Sequence, residues 1–133
     1  MEGIDQAERF SIVKRAKSFT YAGRGIWIFL KTTHNAWIHL AVLLLAVFLG
    51  LYFRITYLDW MLLTLAAGLV LTAEAFNTAI EIDINLTSPE FHPYARDTKD
   101  VAAGAVLIAA LTATVIGVSI FGKYFVDLLS RVY

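Results

Sequence analysis

The sequence predicts an all-α membrane protein, with three transmembrane helices behind an N-terminal amphipathic surface helix, and its composition and the placement of its charges carry that prediction. Hydrophobic residues make up 59% of the 133 positions and charged residues 17%, against roughly 45–50% and 25% in soluble domains. Residues 32–53 and 101–122 hold no Asp, Glu, Lys or Arg, and each run is 22 residues long. About 20 helical residues suffice to cross a hydrocarbon core. Between these runs, residues 60–80 form a third apolar span whose single charge is Glu74.

The elements follow in order. In residues 7–31, apolar Phe10, Val13, Ala16, Tyr21 and Ile28 interleave with basic Lys14, Lys17 and Arg24. At about 100° per residue this places an apolar stripe beside a basic face, the pattern of a helix lying in the membrane interface; a partly disordered basic tail is the plainer alternative. Transmembrane helices are expected over residues 34–53, 58–84 and 100–122. No repeat or linker divides the chain, so residues 1–133 read as one membrane domain.

The segment before residue 32 carries Arg9, Lys14, Arg15, Lys17, Arg24 and Lys31, whereas the link between the first two spans carries only Arg54. The excess of Lys and Arg predicts a cytoplasmic N-terminus. Overall, eleven basic residues balance eleven acidic ones, which argues against a nucleic-acid partner. With no cysteine in the chain, disulfides, thiol nucleophiles and thiolate metal sites are excluded.

Any chemistry must rest on the polar residues of the second span. Glu74, Asn77, Thr78, Glu81 and Asn85 are spaced to share one helix face. A carboxylate at membrane depth costs several kcal/mol, roughly, unless it meets protein, water or a cation, so Glu74 is a functional candidate. Polar contacts between helices are the bland alternative. The following link holds Glu81, Asp83, Glu90, Asp97 and Asp100 against Arg96 and Lys99. Such an acidic rim suits Mg²⁺, which takes oxygen ligands and usually accompanies phosphate, with Arg96 and Lys99 available for phosphate oxygens; a solvated, charge-balanced turn is the alternative. His34 and His39 read as interfacial residues near the start of the first span, and no P-loop or HExxH motif occurs.

The string AEAFNTAIE at residues 73–81, the link SPEFHPYARDTKD at 88–100 and VAAGAV at 101–106 closely resemble the small bacterial diacylglycerol kinase and undecaprenol kinase family. The resemblance runs from about Phe19 to Phe121. It implies a homotrimeric helical bundle in the bacterial inner membrane, a multi-pass lipid kinase that moves the γ-phosphate of ATP to a lipid alcohol with Mg²⁺, at cytoplasmic sites shared between subunits. By position, it makes Glu74 the catalytic carboxylate, Asn77 its polar partner and Glu81 a metal ligand. Lys99 and Asp100 become nucleotide contacts, Arg96 remains available to phosphate, and Tyr21 and Gly25 fall on the surface helix beside the same site. The link favours undecaprenol over diacylglycerol as substrate. Two positions depart from the family pattern: Thr33 stands where a second acidic metal ligand is usual, and Asn85 where many members carry Asp. Both changes remove negative charge, so the resemblance also admits an impaired or inactive member acting as a binding or structural membrane protein.

Overall fold

The computed structural model describes residues 12–131, nearly all of them in four helices: α1 (Ile12–Thr32), α2 (His34–Phe53), α3 (Tyr57–Thr87) and α4 (Pro93–Ser130). Residues 7–11 of the expected surface helix lie outside the described residues. Among the described residues there is no strand, and α2, α3 and α4 are each long and apolar enough to cross a membrane. The protein is an all-α membrane protein.

Local chemistry sets the helix ends. Thr33, in extended backbone at φ −108°, separates α1 from α2. Arg54 closes α2 in the left-handed region, at φ 51° and ψ 52°. The reversal lets the Arg54 N–H donate to Leu51 O at 3.3 Å and the Ile55 N–H to Gly50 O at 3.1 Å, satisfying carbonyls that a helix end leaves open. Thr56 then starts α3 with a capping box: its hydroxyl accepts from the Asp59 N–H, while Asp59 accepts from the Thr56 N–H. Ser88 precedes Pro89, which disfavours helical backbone at the residue before it, and α3 ends at Thr87. Pro93 occupies the opening turn of α4, where a missing N–H costs nothing.

α4 packs chiefly along α3, α2 lies against α3, and the end of α1 touches both α2 and α3. The buried α3 residues Asp59, Leu63, Ala66, Val70, Glu74 and Asn77 recur at steps of three or four and so form one stripe. That stripe passes through three layers. At the Arg54 end, Ile55, Leu63, Ile120 and Phe121 form a core packed by Leu49, Phe53, Trp60 and Tyr124. Gly50 permits this closeness, because a Cβ there would sit 2.7 Å from the Trp60 ring. Asp59 is buried beside the core and accepts from Lys123 Nζ and from the Tyr124 hydroxyl, each at 3.0 Å. The middle layer is an apolar crevice of about 480 Å³ between α2, α3 and α4, walled by Val42, Ala46, Ala66, Val70, Ala113 and Gly117 among others. The third layer, at the α1 end, is polar.

Candidate active site

The polar layer is a cavity of about 420 Å³, to which α3 contributes Glu74, Asn77, Thr78, Glu81 and Asn85, and the junction of α1 and α2 contributes Thr32, Thr33 and Asn35. The helical spacing read from the sequence therefore does bring Glu74, Asn77, Glu81 and Asn85 to one wall. Thr33 comes to them because the break between α1 and α2 holds it against α3.

Glu74 is 1% exposed, the most deeply buried large side chain among the described residues. Its Oε1 lies 3.0 Å from His39 Nε2 on α2. With Glu74 ionised, His39 is the donor, because a carboxylate only accepts. Thr78 donates its hydroxyl proton to the Glu74 backbone carbonyl at 2.9 Å, and having only one proton it must accept from the Thr33 hydroxyl, 2.7 Å away. Thr33 thus turns its side chain across to α3; it makes no capping bond to its own helix. Asn77 Nδ2 donates to Glu81 Oε1 at 3.0 Å.

Two buried oxygens, Glu74 Oε2 and Asn77 Oδ1, make no hydrogen bond within the chain. Such groups cost roughly 1–3 kcal/mol each, so a donor or a cation that reached them would stabilise the site. Its oxygens suit Mg²⁺. Among the described residues no three His, Asp or Glu side chains gather as a metal cluster, and a cation would share Glu81 and Asn77 Oδ1 with phosphate oxygens and water.

Of the remaining sequence-predicted positions, Lys99 reaches the cavity rim from α4, donating to Asn85 Oδ1 at 2.7 Å. Arg96 pairs with its neighbour Asp97 in an exposed position, and Asp100 is exposed. Neither lines the cavity, and nor do Tyr21 and Gly25 on α1; Tyr21 is exposed. The residue the sequence reading undervalued is His39. Its signal was an imidazole several residues inside a charge-free run, deeper than an interfacial side chain needs to be.

Fold and site define a class: a small helical membrane protein with a buried carboxylate over a polar cavity at one end of its bundle. The chain belongs to the prokaryotic diacylglycerol kinase family, whose sequence model matches residues 20–121. Membership makes it a lipid kinase. It is 38% identical over 105 residues to an undecaprenol kinase of Bacillus subtilis, covering 79% of this chain and 85% of that one. It is 31% identical over 126 residues to a diacylglycerol kinase of Helicobacter pylori, covering 90% and 95%. A diacylglycerol kinase of Synechocystis shares 34% identity over 101 residues, 75% of this chain and 58% of that protein.

Proposed function

We propose that this protein phosphorylates the hydroxyl of a membrane lipid alcohol, undecaprenol ahead of diacylglycerol, with ATP as donor and Mg²⁺ as cofactor. It works in the bacterial inner membrane as a homotrimer with its N-terminus in the cytoplasm. The observation that carries the reading is Glu74: a buried carboxylate with one oxygen held by His39 and the other unpartnered.

Phosphoryl transfer asks a protein for positioning, charge neutralisation and a group that orients or deprotonates the attacking hydroxyl. Glu74 Oε2 takes the hydroxyl proton as the alcohol oxygen bonds to the γ-phosphorus; the bond from that phosphorus to ADP breaks, and the acid later returns its proton to water. Glu81, two turns along α3, stands with Asn77 toward the phosphates, and Lys99 reaches the same region through Asn85. Mg²⁺ would be held by Glu81 and Asn77 Oδ1, and would supply neutralisation of phosphate charge. The preference for undecaprenol rests on the similarity of the 88–100 link and on the 38% identity to the Bacillus subtilis enzyme.

Transfer of labelled phosphate from ATP to undecaprenol and diacylglycerol in mixed micelles tests the reading. Glu74→Gln is expected to lower the rate by at least about 100-fold, the scale on which a general base acts, with assembly unchanged. Most of the activity surviving in that variant would refute the assignment. The second reading, an impaired member, is favoured by Thr33, which stands where the resemblance places an acid and whose hydroxyl is bonded to Thr78; no transfer to either lipid by the wild type would support it.

A further inference from the structure

We infer that His39 is a positioning residue for phosphoryl transfer: its Nε2 hydrogen bond fixes one oxygen of Glu74 and so aims the other at the substrate hydroxyl. The inference rests on the proposed role of Glu74 as base. A glutamate side chain turns about three bonds, and burial alone does not choose which oxygen is held and which is left without a partner. In this site the choice is made by α2. His39 Nε2 lies 3.0 Å from Glu74 Oε1, while Glu74 Oε2 is buried and makes no hydrogen bond within the chain. Thr78, one turn along the same helix, bonds the Glu74 backbone carbonyl.

The location of His39 suits this role. Its ring walls the apolar crevice, whereas Glu74 walls the polar cavity, so the pair sits where the two spaces meet. A lipid alcohol whose chain lies on the apolar side would bring its hydroxyl to this boundary, beside Glu74. In a site of low dielectric, a hydrogen bond to a carboxylate is stronger than in water, and a small misplacement of a reacting group costs as much as roughly 100-fold in rate.

The test uses the full chain in mixed micelles, with kcat and the KM for ATP measured at saturating undecaprenol. His39→Gln keeps an amide donor near the position of Nε2, and His39→Phe keeps the ring volume without a donor. We expect His39→Phe to lower kcat by roughly 10- to 100-fold with the KM for ATP little changed, and His39→Gln to recover most of the loss. A His39→Phe variant as fast as wild type overturns the inference. So does an inactive His39→Gln variant that melts like wild type, since the imidazole itself, and no donated bond, would then be required. If His39→Phe does not fold, His39→Leu serves as the donor-free control. Glu74→Gln run alongside separates the two ideas: activity retained there removes the base assignment, whereas an inactive Glu74→Gln with an undiminished His39→Phe removes only the role of His39.

Discussion

At the scale of single residues, the proposed cation site turns on Thr33. Its hydroxyl is committed to Thr78, so Thr33→Glu forfeits that bond, a loss of about 1 kcal/mol. It also adds a negative charge to a cavity that already holds Glu74 and Glu81. Both effects destabilise the chain without a divalent cation, and the second reverses when one binds. We therefore expect Thr33→Glu to melt lower than wild type in chelator, to regain stability in Mg²⁺, and to reach half-maximal lipid phosphorylation at several-fold lower Mg²⁺. Asn85→Asp added to it turns the bond from Lys99, whose donor is already charged, into an ion pair. Equal Mg²⁺ dependence in wild type and both variants would place the cation elsewhere. Glu74, Asn77 and Glu81 were legible from spacing because one helix carries them all. The Thr33–Thr78 and His39–Glu74 bonds were not, since they join residues 45 and 35 positions apart and depend on how α1 and α2 register against α3.

At the scale of elements, the end of the bundle far from the cavity is fastened by Asp59. This carboxylate completes the capping box of α3 and bonds Lys123 and Tyr124 of α4. One side chain thus starts a helix and ties it to its main neighbour. Asp59→Ala removes the cap and both cross-helix bonds, and is expected to cost about 2–3 kcal/mol, read as a fall in melting temperature in detergent. Asp59→Asn keeps one acceptor oxygen and should lose less. Because Asp59 and Glu74 are 15 residues apart, about 22 Å along the helix, the rate per folded molecule should not change. An unchanged melting temperature would show that the cap and the tie contribute nothing. Charge-free runs revealed the membrane helices but not this fastening: Asp59 and Lys123 lie at the two flanks of such runs, and charged flanks usually signal only a water boundary. The same bias hid the length of α4, whose helix continues through Lys123 and Asp127 to Ser130 because nothing there breaks it.

At the scale of the whole molecule, a single chain leaves much apolar surface uncovered. Leu44, Leu107, Leu111 and Val118 are all more than half exposed, and lipid or further copies of the chain must cover them. The fourfold recurrence of small residues at Ala105, Ala109, Ala113 and Gly117 suggests close helix approach, and the structure divides that face between different surroundings. Ala109 is buried at 4% exposure on the helix that packs along α3, Ala113 and Gly117 wall the apolar crevice, and Ala105 is exposed. Enlarging these positions should therefore have separable effects. Ala109→Leu overpacks the chain's own interior, at a cost of about 1–3 kcal/mol, and is expected to lower the melting temperature whatever the state of assembly. Ala105→Leu leaves the single chain unstrained, and if α4 meets a second copy there, it should weaken the proposed trimer in detergent while the monomer stays helical. The mass of the detergent-solubilised complex, measured by light scattering beside a melting curve, reads the two effects apart. A trimer that survives Ala105→Leu would mean that this part of α4 faces lipid, and the contacts between copies would then have to be sought on the exposed faces of α2 and α3.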